Sequence, residues 1–175
     1  LIYISRPETE KLAQVAIGWI DAGLNVSKVD KKMKDEVSLV FHGTQALDIA
    51  LFGRMLADAP DLNTEASAQA ISVDRIAQDY DYFTAVDDCA AEDNAGAGMI
   101  GTVGFNSSTL YRYATVNLDS LLGQLGDADA TAQGLAAFIE AFSKSMPTGK
   151  QNTFANRTLP STVVVTFRSG QPINA

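Results

Sequence analysis

Two short strings in this chain have the residue types that handle phosphates. Gly96-Ala97-Gly98-Met99-Ile100-Gly101 spells G-x-G-x-x-G, which in a dinucleotide site leads from a strand into a helix whose amides face a pyrophosphate. Here the acidic loop 90–94 precedes it and Thr102-Val103-Gly104-Phe105, of β type, follows. That context fails, and the glycines read as permission for a tight bend. Thr148-Gly149-Lys150-Gln151 has the Gly-Lys of a phosphate loop. It lacks the glycine five positions before Gly149 and the Ser or Thr after the lysine that would hold Mg²⁺. What remains, Gly149 to Thr153, is either a donor-rich loop that grips phosphates without hydrolysing them or a plain surface loop.

No convincing catalytic set emerges. His42 is the single histidine and follows Phe41 in an apolar-leaning stretch, which reads as a packed or capping residue, since triads and zinc sites need further partners. Asp87-Asp88 reads as a solvated pair or a metal site. Cys89 has no basic neighbour to activate it and no second cysteine to bridge to. The expectation is a protein that is not an enzyme and holds no cofactor. Tyr111 and Tyr113 share one face of a strand with Arg112 on the other, suited to base stacking or to core packing.

The formal net charge is −8 at pH 7, which taken whole argues against a nucleic-acid partner. The distribution of charge argues the other way. Between residues 61 and 100 nine acids face one base, Arg75, so that segment holds −8 and the remainder sums to zero. Bases gather at Lys28, Lys31, Lys32 and Lys34, and again at Lys144, Lys150 and Arg157. Local patches govern electrostatic attraction more than the sum does. The four early lysines are either a solvated helix face or a phosphate-contacting row. No apolar run is long enough to cross a bilayer and no basic-then-apolar leader opens the chain, so the expectation is a cytoplasmic protein without a membrane partner. Lacking an initiating Met, the chain reads as a piece of something longer.

The elements that must position these residues follow from periodicity. Leu1 to Ser5 reads as a strand, and Arg6-Pro7-Glu8 opens a helix whose Leu12, Val15, Ala16, Trp19 and Ile20 share one face, with Trp19 closing it against the core. Helix is expected again from Lys28 to about Ala57, broken near Gly43. Tyr82–Val86 and Met99–Val103 are two strands flanking an acidic, Gly/Ala-rich connection, a projecting hairpin spanning Tyr80–Phe105. Ser107 to Leu118 is a strand, Gly123 to Asp127 a loop whose Asp127 or Asp129 caps a helix over Ala130–Met146, and Thr162–Phe167 a buried strand. Strand, long helix and strand after a hairpin suit an α+β sandwich of the ferredoxin or RRM kind. A single domain is expected, with a helical part over 1–57, an inserted hairpin over 71–106 and a strand-helix-strand part over 107–175.

Four strings in order then carry a resemblance: Asp48-Ile49-Ala50-Leu51-Phe52-Gly53-Arg54-Met55, Asp81 to Asp88 (DYFTAVDD), Leu110 to Leu118 (LYRYATVNL) and Pro147 to Ala155 (PTGKQNTFA). Together they resemble the CasC family, the repeated backbone subunit of the type I-E CRISPR Cascade complex, over Lys28 to the C-terminus. The resemblance implies a right-hand shape: an RRM-like palm, helical fingers and the Tyr80–Phe105 arm as thumb. It implies copies that polymerise along the crRNA, bind target DNA through guide pairing and assemble with other Cascade subunits. By motif, Met55, Phe83, Thr84 and Ile100 fall where the family packs side chains against displaced bases. Lys28, Lys31, Lys32 and Lys34 lie in its basic finger helix beside target-DNA phosphates, and Lys150 and Gln151 in the loop beside the crRNA. The family's N-terminal strand and basic segment and its further C-terminal part have no counterpart here, and residues 1–27 show little likeness.

Such a subunit needs phosphate contacts and apolar wedges, with sequence reading left to base pairing. Two other readings stand beside it: an Mg²⁺-dependent RNA-cleaving relative using Asp87 or Asp88, and a protein-interaction domain without nucleic acid.

Overall fold

Ser5 caps the first helix. Its Oγ accepts from the Glu8 amide at 3.3 Å while the Glu8 carboxylate accepts from the Ser5 N–H at 2.8 Å, a reciprocal cap on α1 (Arg6–Asp21). The computed structural model describes residues 3–25, 27–43, 45–57, 59–85, 89 and 99–174. The strand expected over Leu1–Ser5 is corrected: Leu1 and Ile2 lie outside the described residues, Tyr3 to Ser5 form no strand, and the extended backbone of Ser5 is cap geometry.

Glu8 also closes a buried ion pair. Its Oε1 accepts from Arg54 Nη1 at 2.7 Å, and both side chains are almost wholly shielded from solvent. Arg54 Nε donates to the Leu62 carbonyl at 3.2 Å, and the guanidinium lies 5.0 Å from the centre of the Phe41 ring. Its backbone exchanges two hydrogen bonds with Thr64, both 2.9 Å. One side chain thus ties α1 to the end of α2 (Lys31–Phe41) and to the loop after α3 (Leu47–Phe52). Gly53 makes the turn between α3 and Arg54 possible: its φ is +74°, and a Cβ there would stand 2.7 Å from the Thr64 carbonyl oxygen.

The chain forms two compact units. The first comprises Leu1–Ala70 and Ala114–Glu140, the second Ile71–Tyr113 and Ala141–Ala175. In the first, the core is Ala50, Leu51, Ala68, Leu121 and Leu125, with Leu47, Val116 and Phe138 packed on it. A fully buried leucine such as Leu121 contributes roughly 1.5–3 kcal/mol. Asn117, whose Oδ1 accepts from the Ser120 amide at 3.0 Å, caps α4 (Leu118–Leu125). This helix is a correction to the expected loop at Gly123–Asp127: Gly123 sits inside it, and Gly126, at φ +70°, ends it. Asp127 then caps α5 (Ala128–Lys144) by accepting from the Ala130 amide at 2.6 Å. Trp19 does not close α1 over the core. It stays half-exposed and donates to Glu36 of α2 at 2.7 Å.

Strand β1 (Ala68–Asp74) pairs with β4 (Leu110–Val116), and β2 (Gln78–Ala85) pairs antiparallel with β3 (Met99–Asn106). The fold is therefore α+β, as the element pattern implied. Among the described residues each sheet has two strands. The buried strand expected over Thr162–Phe167 is overturned: the segment forms no strand, and Val163, Val164, Val165 and Phe167 are all exposed. Among the described residues no strand pairs with it, and β propensity expresses itself only against such a neighbour. No helix among the described residues is long and apolar enough to cross a membrane.

Burial pushes the Glu8 carboxyl up, but hydrogen bonds from Arg54 and Ser5 and the Arg54 charge outweigh it, and its pKa falls below the ordinary 4.5. A depressed acid pKa stabilises the fold above that ordinary value, and the contribution fades as pH falls through the folded-state value. Denaturant titrations should show stability declining below about pH 4.5, a decline that Glu8→Gln flattens. Arg54→Met, which leaves Glu8 buried without its partner, should cost about 3–5 kcal/mol at pH 7.

Candidate nucleic-acid interface

The lysine row lies in the first unit, at the start of α2. Asp30 is its N-cap, accepting from the Met33 amide at 2.8 Å. Lys31, Lys32 and Lys34 occupy the first turn, exposed, while Met33 between them is buried and fixes which face turns outward. Lys28 precedes them in a turn, its amide donating to the Asn25 carbonyl at 3.0 Å. Cations at the positive end of a helix dipole oppose it by about 0.3–1 kcal/mol each. The Asp30 carboxylate already takes the Met33 amide, so any attraction of an anion there rests on the lysines. Met55, also in the first unit, follows Arg54 and is 86% exposed, an uncommon state for a side chain of its size and apolarity. His42 is the exposed C-cap residue of α2, its Nε2 3.3 Å from Ser38 Oγ.

The hairpin lies in the second unit, and its register sorts the remaining residues. Thr84 stands directly opposite Ile100, and Phe83 opposite Gly101. Because side chains alternate along a strand, Thr84 and Ile100 share one face and Phe83 lies on the other. The Phe83 ring covers Gly101, where a Cβ would come within 2.8 Å of its Cζ. Of the residues expected to act as wedges, the hairpin thus brings two together and turns the third away. Val86, Asp87, Asp88, the acidic loop 90–94, and Gly96 and Gly98 lie outside the described residues.

The hairpin's root is held by polar contacts. The Ala77 amide donates to Asn106 Oδ1 at 3.1 Å and to Ser108 Oγ at 3.0 Å, and Ser108 Oγ donates to the Arg75 carbonyl at 2.5 Å. Asn106 Nδ2 also donates to Asp74. On the strand's other side Phe105 stacks on Phe154, ring centres 4.1 Å apart and 13° from parallel. Phe154 ends the single turn α6 (Gln151–Phe154), whose N-cap is Lys150. Lys150 has φ +61°, a left-handed conformation rare for a side-chain-bearing residue. The loop that carries Lys150 and Gln151 is thereby fastened to the base of the hairpin. Sequence reasoning misses Phe154 and Asn106 as the fasteners, although the first lies inside one of the four family-like strings and the second ends β3.

Tyr111 donates to Asn174 Oδ1 at 2.8 Å and Tyr113 is half-buried. Arg112, on the opposite face, caps the end of α5, donating to the carbonyls of Phe142 at 2.7 Å and Ser145 at 2.9 Å. Among the described residues no cluster of three or more His, Cys, Asp or Glu side chains is arranged to hold a metal ion.

Comparison with known proteins agrees with the motif strings. A family model described as CT1975-like protein matches residues 1–175. No curated protein matches the chain. Among solved structures, a chain of a CRISPR RNA-guided surveillance complex, pre-nicking, is similar with a TM-score of 0.73 and 33% identity, over 91% of this chain and 45% of that one. A chain of a CRISPR RNA-guided surveillance complex is similar with a TM-score of 0.56 and 41% identity, over 65% of this chain and 45% of that one. The chain spans a little under half the length of each of these relatives.

The close fit of Phe83 on Gly101 makes the hairpin sensitive to one methyl group. Gly101→Ala should displace the ring and loosen the β2–β3 ladder at a cost of about 1–3 kcal/mol, seen as faster amide exchange across both strands.

Proposed function

The chain belongs to the CT1975-like protein family, and we propose that it is a non-catalytic, crRNA-binding part of the backbone of a type I-E CRISPR Cascade complex. The observation that carries this reading is 33% identity across 91% of the chain to a chain of an RNA-guided surveillance complex, joined to the CasC-type strings. In this reading copies of the protein line up head to tail along the guide in the cytoplasm, other Cascade subunits join them, and target DNA is bound through pairing with the guide.

The division of labour suits these residues. Base pairing reads sequence, so the protein has to hold the backbone and punctuate the duplex. Lys28, Lys31, Lys32 and Lys34, exposed around a helix N-terminus, supply phosphate contacts to the target strand. Lys150 and Gln151 supply them to the guide. Met55, Phe83, Thr84 and Ile100 act as wedges against displaced bases. Acidic residues crowd the segment from 61 to 100, where contact with nucleic acid is by wedge and not by charge.

The test is a salt series. Binding to a single-stranded RNA should weaken steeply with salt, and Lys150→Ala should reduce the slope of log K against log salt by about 0.7. With the RNA paired to complementary DNA, removing Lys31, Lys32 and Lys34 together should flatten the slope further, and particles should lengthen with the RNA. Affinity independent of salt, at a fixed small particle size, would overturn the reading. Mg²⁺-dependent RNA cleavage lost on changing Asp87 and Asp88 to Asn would replace it with the nuclease alternative.

A further inference from the structure

Helices α1 and α2 leave an open groove of about 680 Å³ between them, wholly within the first unit. The helices run antiparallel: the start of α1 at Glu8 and the end of α2 at Phe41 both meet Arg54, while Trp19 near the end of α1 meets Glu36. The walls are largely apolar, with Val15, Val40 and the Trp19 ring half-buried and Leu39 68% exposed. The hydrogen bond from Trp19 to Glu36 fixes the indole and gives the one acid lining the groove a partner. Gly18 leaves a gap on the α1 side. A Cβ there would meet nothing within 4 Å, so the packing of this chain does not call for glycine, a poorer helix former than alanine. Lys11 lines the groove towards its Arg54 end and Lys32 towards the other. Both are exposed, and among the described residues neither has an ion pair.

We propose that this groove is the docking site of a helix from a protein partner, with an apolar stripe facing the groove and a carboxylate near each end. Shape and charge select that occupant. From Lys11 to Ala22 the groove runs about 16 Å at 1.5 Å per residue, three helical turns. A helix laid between two antiparallel helices buries its apolar stripe against both. A half-exposed tryptophan held by its own hydrogen bond supplies a rigid aromatic anchor. The unpaired ammonium groups at the two ends complement acids on the incoming helix. A nucleic acid is matched less well, because it needs a run of positive charge and the lining between the lysines is mostly apolar. Lys32 also belongs to the phosphate row, and the three N–H groups of an ammonium let it serve both. The groove adds a protein-binding surface to the guide-binding reading and does not depend on it.

Trp19 is the only tryptophan in the chain, so its emission reports on the groove. The probes are two designed helical peptides of about 14 residues with the same leucine stripe, one ending in glutamates and the other in lysines. Without RNA, the glutamate-ended peptide should shift Trp19 emission to the blue and bind about 10-fold more tightly than the lysine-ended one. Lys11→Glu should cut that preference about 3-fold and leave the salt dependence of RNA binding unchanged. Gly18→Leu should obstruct the groove and weaken the glutamate-ended peptide about 10-fold. Its thermal midpoint should stay level or rise, which separates a blocked groove from a misfolded chain.

No binding of either peptide, equal binding of both, or binding that Gly18→Leu leaves intact overturns the proposal. A blue shift that grows with protein concentration alone also overturns it, assigning the groove to a second copy. So does a blue shift produced by single-stranded RNA and abolished by Gly18→Leu, which assigns the groove to nucleic acid.

Discussion

The first unit depends on a buried charge that cannot be left alone. Removing a guanidinium from water costs several kcal/mol, and Arg54 meets that cost with Glu8, the Leu62 carbonyl and the Phe41 ring. Each partner comes from a different segment: the first turn of α1, the 3-10 turn Pro60–Leu62, and the last residue of α2. Displacing any of these segments strands a charge. Glu8 carries a second task, since the same carboxylate closes the cap on Ser5. The start of α1 is therefore fixed by an interaction spanning 46 residues of chain, and the same guanidinium reaches the end of α2 at Phe41.

A different constraint governs the second unit. A two-stranded ribbon is marginal alone in water, so the hairpin needs anchorage at its root. Asn106, Ser108 and the backbone at Ala77 provide it on the polar side, and the Phe105–Phe154 stack on the apolar side. This arrangement commits polar groups and an aromatic pair at the base and leaves the faces further along uncommitted. It also binds the Lys150–Gln151 turn to the hairpin within one unit. The left-handed backbone of Lys150 and Ala155 brackets α6 and keeps its single turn compact against Phe105.

How much of this is legible in the sequence follows the range of the interactions. α1, α2 and α5 are written in apolar spacing and local caps, α3 in its apolar run alone, and Asp127 declares itself because its bond reaches three residues. α4 is hidden by Gly123, which looks like a loop residue but is tolerated inside a helix whose Leu121 and Leu125 are buried. The role of Arg54 is invisible because its partners are remote, although its string carries the family likeness. Thr162–Phe167 misleads in the opposite way: Val163, Val164 and Val165 have strong strand preference, yet preference is realised only where another strand lies alongside. The split of Phe83 from Ile100 needs the register, since parity assigns faces only after pairing is known.

Parity also separates charge from aromaticity along the ribbon. Alternation places Asp79 and Asp81 on one surface and Tyr80 and Tyr82 on the other, so four consecutive residues separate charge from aromaticity by backbone geometry alone. Net charge averages the two surfaces and misleads about both. The lysines of α2 and of the turn at Lys150 lie on other elements, so the ribbon's two faces differ in chemistry without any positive charge of their own.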